Sequence, residues 1–140
     1  MRVMLDTNVL VSLLLFPTPQ MTVMMECIFS QHELLLSSFV LDEFDAVMRS
    51  KFPTRFGAVG EFLRSIKFSL IEMPATIERE LFRIRDPRDY PVLYGAIIGD
   101  ADVLITGDKD FALIDIDKPR ILTPAGFVAR MGVTLSSGQK

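Results

Sequence analysis

The stretch that most constrains this chain is its first eight residues, Met1-Arg2-Val3-Met4-Leu5-Asp6-Thr7-Asn8. A short apolar run, Val3 to Leu5, ends in a carboxylate, a hydroxyl and an amide, and a second apolar run from Val9 to Phe16 begins at once. That order describes a buried strand, a polar edge and then a helix. In a parallel α/β sheet, ligands bind in the crevice beyond the carboxyl ends of the strands. Asp6 is therefore either the cap of the following helix or the floor of a site.

The rest of the chain repeats the alternation. Strands are expected at 2–5, 33–36, 68–73, 103–106 and 120–122. Helices are expected at 9–15, 22–29, 39–49 and 56–65, from the turn at 86–89 to about residue 99, and from 124 to 130. Pro17 and Pro19 stop the first helix, because proline removes a donor and restrains its predecessor. Ser37 and Ser38 are helix-start residues, and Thr123-Pro124 is a cap followed by proline. The segment 77–85 is ambiguous, at most a helical turn. Strands alternating with helices imply a mainly parallel sheet covered on both faces. With no repeat or linker, residues 1–131 are expected to form one domain, and 132–140 a flexible C-terminal tail.

At 140 residues the chain can bury a sizeable core. Its 49% hydrophobic content and mean hydropathy of +0.34 are high, which points to a buried oligomer or partner surface. Met21, Met24 and Met25, with Ile28 and Phe29, are either ordinary core or a soft apolar surface for a partner. No apolar run reaches the roughly 18 residues that would span a bilayer. Asp6 and Asn8 interrupt any signal-peptide core, so the expected compartment is the cytoplasm. The single cysteine, Cys27, sits in an apolar segment and reads as core, in keeping with a reducing setting. The net charge of −3 argues at first against nucleic acid, but with four acids neutralised by metal the balance becomes 15 basic against 14 acidic residues. Charge alone decides nothing here.

Four places put a carboxylate where a sheet edge should be. Asp6 ends the first strand, Glu43 lies in the helix after the second, Asp89 opens the helix before the fourth, and Asp108 and Asp110 follow the fourth. Right-handed crossovers bring such positions to one end of a sheet. On a helical wheel of about 100° per residue, Phe39, Val40, Leu41, Phe44, Val47 and Met48 form one apolar face. Glu43 falls inside that face, whereas Asp42, Asp45 and Arg49 fall opposite. A buried carboxylate needs a partner, so Glu43 meets either a metal or an arginine such as Arg2. Asp89 can cap a helix that begins Tyr90-Pro91 and still serve as a ligand. Asp108 and Asp110 could equally be a solvated turn. Taken together, the acids suggest an oxygen-rich pocket suited to Mg²⁺ or Mn²⁺.

Other chemistry is poorly supported. His32 is the only histidine and reads as a surface residue, so a Ser-His-Asp or zinc site is nearly excluded. Neither phosphate-binding glycine motif is present. Gly95, Ala96 and Gly99 are read as residues that allow close helix packing. Asp6-Thr7-Asn8 lacks the second aspartate that an aspartyl-phosphate mechanism wants two residues on.

These segments resemble the PIN-domain nucleases. Leu5-Asp6-Thr7-Asn8-Val9-Leu10 is similar to the opening of that family, and Thr106-Gly107-Asp108-Lys109-Asp110-Phe111 to its fourth acidic segment. Ser38 to Val47, with Glu43, is similar to the second, and Asp86-Pro87-Arg88-Asp89 to the third, with Asp89 as the aligned acid. Thr123-Pro124-Ala125-Gly126-Phe127 resembles the last helix start. Tyr90-Pro91 departs from what usually follows the third acid. Within the family, the resemblance is to the small prokaryotic VapC-like toxins.

The resemblance implies a three-layer α/β/α sandwich whose central parallel sheet has about five strands in the order 3-2-1-4-5. It implies a metal-dependent endoribonuclease, commonly dimeric and held inactive by an antitoxin protein. Asp6, Glu43, Asp89 and Asp108 would hold one or two Mg²⁺ or Mn²⁺ ions, with Asp110 as an additional candidate ligand. Asn8 and Thr106 would orient ligands or water from behind. Arg49, Lys51, Arg55 and Lys109 are the candidate RNA contacts. The alternative is a PIN-like module that binds RNA or protein without cutting.

Overall fold

A computed structural model describes residues 1–131, Ala112 by its backbone alone. The expected tail, 132–140, lies outside the described residues. Five strands, β1 (Arg2–Leu5), β2 (Glu33–Ser37), β3 (Ser69–Ile71), β4 (Val103–Ile105) and β5 (Arg120–Leu122), form one sheet in the order β3-β2-β1-β4-β5. Every neighbouring pair is parallel, with Met4 opposite both Leu35 and Leu104. β1 is central because it is apolar throughout its buried length: Val3, Met4 and Leu5 are fully buried. Truncating such a side chain to alanine costs about 2–5 kcal/mol. Strand order reverses between β1 and β4, so the crevice at their carboxyl ends is where the topology opens a ligand site.

Six helices cover the sheet: α1 (Thr7–Leu15), α2 (Pro19–Gln31), α3 (Ser38–Lys51), α4 (Val59–Ser65), α5 (Tyr90–Ile98) and α6 (Pro124–Arg130). α3 packs between α1 and α5 on one side, and α2 packs on α6 on the other, which makes the three layers. Their starts follow local chemistry. Thr18, Ser37 and Thr123 each accept a hydrogen bond from a first-turn amide, at 3.2, 3.1 and 2.9 Å. Cys27 is buried, as are Met21, Met24, Met25 and Ile28, while Phe29 is exposed. Among the described residues, no single helix is long and apolar enough to cross a membrane.

Several boundaries differ from the sequence reading. α1 starts at Thr7 rather than at Val9, directly after its cap, Asp6. α2 extends from Pro19 to Gln31, since proline at its first position is compatible with helix. The expected helix at 56–65 is split: Pro53–Ala58 is a 3₁₀ turn, and only Val59–Ser65 is α-helical. Residues 72–86 hold turns and bends but no helix or strand.

Gly95 and Gly99 let α5 lie close on the sheet. A Cβ at Gly99 would sit 2.9 Å from Ile71 Cγ1, and one at Gly95 3.1 Å from Met73 Sδ and from Ser37 Cβ. Ser37 is the last residue of β2, so this approach brings the start of α5, and Asp89 before it, to the carboxyl end of the sheet.

Candidate metal centre

Asp6 sits just beyond β1 and is only 5% exposed. Its Oδ1 accepts from the Thr7 amide at 2.6 Å, and its Oδ2 accepts from the Thr106 hydroxyl at 2.7 Å. Burial raises its pKa; the two hydrogen bonds oppose that rise, while Glu43 and Asp108 add to it. Asp6 is thus a helix cap that also faces other acids. Thr106, itself buried, accepts from the Asp108 amide at 3.0 Å, so one hydroxyl ties the end of β1 to the loop after β4.

Glu43 is half-buried on α3 and accepts a hydrogen bond from the Thr7 hydroxyl. Val40, Phe44 and Met48 are fully buried around it, and Asp42 and Arg49 are exposed, as the wheel requires. Arg2 does not reach Glu43. Its guanidinium binds Glu33 at 2.8 Å and the Gly99 carbonyl at 2.8 and 3.1 Å.

Asp89 ends a 3₁₀ turn, Pro87–Asp89, directly before α5. It occupies the cap position of α5 but makes no capping hydrogen bond. Its Oδ2 is buried and has no hydrogen-bond partner among the described residues. Burial first, then the neighbouring Asp108, pushes its pKa up to about 7. Asp108 caps the next turn, its Oδ1 accepting from the Asp110 amide at 2.9 Å. Carboxylate oxygens of Asp89, Asp108 and Asp110 all lie within 4.8 Å of one another.

Cations are scarce around this cluster. Arg85 Nη1 stands 3.7 Å from Asp110 Oδ1 on an exposed side chain, and Arg88 is held at 2.9 Å by Asp86. Like charges this close, partly removed from water, favour either a shared proton or a bound cation. The donors are all carboxylate oxygens, with no histidine or cysteine, and one buried oxygen lacks a partner. That set fits a hard divalent ion such as Mg²⁺ or Mn²⁺.

The other expected positions are spread more widely. Asn8 is exposed and makes no side-chain hydrogen bond to a described residue. Lys109 is exposed beside Asp108. Arg49 lies over the Phe56 ring at 4.3 Å and pairs with Asp45 at 3.3 Å. Lys51 and Arg55 are exposed near the far end of α3, and six residues of helix separate Arg49 from Glu43, roughly 9 Å along its axis. Thr7 and Arg85 belong to the site's surroundings but were not singled out from sequence. The hydroxyl next to Asp6 was the available signal for Thr7. Arg85 lies in a segment without periodicity and had none.

The sequence matches the PIN domain over residues 2–110, a span that holds every acid described above. Among solved structures, the fold is similar to the crystal structure of VapBC2 from Rickettsia felis bound to a DNA fragment from their promoter. The TM-score is 0.64 at 22% identity, over 87% of this chain and 97% of that chain. No curated protein is similar enough to match. The family match begins at the strand that Asp6 terminates and ends at Asp110, so it takes in all five acids, Asp6, Glu43, Asp89, Asp108 and Asp110: the chain belongs to the PIN-domain family.

Proposed function

We propose that this chain is a Mg²⁺- or Mn²⁺-dependent endoribonuclease, the toxin of a toxin-antitoxin pair, acting in the cytoplasm as a homodimer. The observation that carries the reading is the Asp89 carboxylate: its Oδ2 is buried with no hydrogen-bond partner among the described residues, and the group lies in a cluster whose oxygens, with those of Asp108 and Asp110, are within 4.8 Å of one another. With all three carboxylates ionised the arrangement costs free energy, and a bound cation relieves that cost without a shared proton. The family match supports nuclease chemistry, and the likeness to a toxin-antitoxin complex supports a protein partner.

In this reading Asp89, Asp108 and Asp110 would hold the ion, with Asp6 and Glu43 as the further candidate ligands. A bound divalent ion supplies Lewis acidity and lowers the pKa of water. The chain's own groups do the rest. Thr106 fixes the Asp6 carboxylate, and Thr7 fixes Glu43, so neither acid can swing away from the crevice. Burial and the neighbouring Asp108 favour the protonated Asp89 carboxyl in metal-free protein, and binding of a divalent ion would release that proton. Lys109 and Arg85, beside the acids, offset repulsion of the RNA backbone. The exposed apolar residues Phe29 (45%) and Leu70 (46%) favour a covered face in the assembled protein.

The test is incubation of purified protein with labelled single-stranded RNA, with Mn²⁺, with chelator, and with Asp6→Asn. Cleavage by the parent in Mn²⁺ alone, lost in the variant, supports the reading. Metal-independent cleavage, or none with any divalent ion, ends it, and RNA binding without cleavage leaves a non-catalytic PIN-like module.

A further inference from the structure

Residues 72–86 have no regular structure, yet Tyr90 ties them down. Its hydroxyl donates to the Glu78 carbonyl at 2.5 Å and accepts from the Leu81 amide at 3.2 Å. Phe82 stacks on the Tyr90 ring, with centroids 4.1 Å apart and planes 12° apart, and Tyr94 follows at 6.0 Å. The Arg79 guanidinium lies 5.5 Å from the Tyr90 centroid. A hollow of about 400 Å³ opens here, lined by Arg79, Phe82, Arg83, Ile84, Pro87 and Tyr90. Pro87 and Tyr90 bracket Asp89, so the hollow adjoins the acid cluster.

The charges of this segment are divided in a useful way. Arg88 is engaged by Asp86 and Arg85 stands near Asp110. Arg79 and Arg83 form no ion pair with any described residue, although Glu78 and Glu80 flank Arg79 in sequence. Two unpaired guanidinium groups beside parallel aromatic rings suit a planar base with a phosphate on either side. Such platforms take single strands, because a duplex keeps its bases stacked on one another.

We propose that this hollow is a nucleobase subsite for single-stranded RNA adjoining the cleavage centre, with Arg79 and Arg83 holding the flanking phosphates. The inference rests on the nuclease reading, and it assigns Arg79, Phe82 and Arg83 to substrate binding, with Tyr90, buried beneath Phe82, as the residue that positions them.

The experiment compares the parent with an Arg79→Ala/Arg83→Ala double variant and with Phe82→Leu, which keeps apolar bulk but loses the ring. Binding of a labelled single-stranded RNA is measured with Ca²⁺ present, and cleavage with Mn²⁺. The double variant should raise Kd and KM about tenfold, with kcat within about twofold. The slope of log Kd against log salt should shrink by about 1.4, for two phosphates released. Phe82→Leu should raise Kd about fivefold. The sequence has two tyrosines, Tyr90 and Tyr94, and no tryptophan, so intrinsic emission reports on this cluster alone. Single-stranded RNA should quench it, and a duplex of equal length should not. A parent that cleaves while both variants keep its Kd and KM overturns the subsite and leaves the nuclease reading standing. So does equal binding of the duplex, or full competition by polyglutamate. A parent that binds RNA through these residues but never cleaves keeps the subsite and removes the nuclease reading. Neither binding nor cleavage removes both.

Discussion

The two ends of this sheet treat the same residue type in opposite ways. At the amino end, Asp102 accepts from the Arg2 amide at 2.7 Å and stands 3.5 Å from Lys118, which also binds Asp100 at 2.8 Å. Glu33 accepts from Arg2 and from Ser69. The Arg2 amide, followed by Lys118, holds Asp102 below the usual carboxylate range. At the carboxyl end, Asp6 and Asp89 are pushed above that range by burial and by one another's neighbours. One end spends its acids on joining strands. The other keeps acids that burden the fold unless a cation joins them, which is how a binding site differs from a structural contact.

The sharpest way to break this contrast is Asp89→Asn. Metal-dependent cleavage should fall at least about 100-fold, the upper range for disturbing a metal site. The metal-free variant should at the same time melt on the order of 3 °C higher, because a repelling charge has gone. A variant that cleaves like its parent would show that the cluster is no site.

Next comes Thr106→Val, which keeps shape but removes the hydroxyl joining Asp6 to the Asp108 amide. Cleavage should drop about 10- to 100-fold, with a raised metal requirement. Asn8→Ala, at an exposed side chain, should change cleavage far less. Equal losses in the two would assign Asn8 a role that its position does not suggest.

The contrast also has a pH signature. In metal-free protein, Asp89 titrates at about 7 when folded and near its ordinary 3.8 when unfolded. Between those values the folded state holds a proton that the unfolded state has lost, so stability falls as pH rises through the window. In chelator, Tm should therefore decline from about pH 5 to about pH 7.5, and millimolar Mg²⁺ should remove the decline. Asp102 works in reverse: its lowered pKa gives stability that is present above 3.8 and is lost as pH falls through its folded value. A melting curve in chelator that is flat across the neutral range would contradict the unpaired state of Asp89.

The smallest effect belongs to the amino end. Asp102→Ala removes a carboxylate that binds the Arg2 amide, and should cost about 1 kcal/mol in chemical denaturation, reduced from a buried value by its exposure. Cleavage should be unchanged. A loss of cleavage there would mean that the two ends are coupled through β1.

The positions of the strands and the inward side of Glu43 were legible in the sequence because they rest on local periodicity: apolar runs bounded by polar residues, and one acid on an apolar helix face. The sheet order came from the family resemblance alone, and the structure bears it out. Other features were not legible. The split at Pro53–Ala58 depends on how that turn packs on α3, which helical spacing does not encode. The segment 72–86 has no period at all, and its path is set by Tyr90, a residue noted in sequence only as a departure from the usual.

By itself, the sequence determined that acids would stand at the edges of a parallel sheet, because strand ends and helix starts are fixed by residues adjacent in the chain. Only the tertiary structure decided which acids meet. Asp89, Asp108 and Asp110 converge because α5 can approach the sheet over Gly95 and Gly99, and Asp6 is tied to the Asp108 amide through the hydroxyl of Thr106, which spans two neighbouring strands. Convergence of charge depends on distances across the fold, and spacing along the polypeptide carries no record of those.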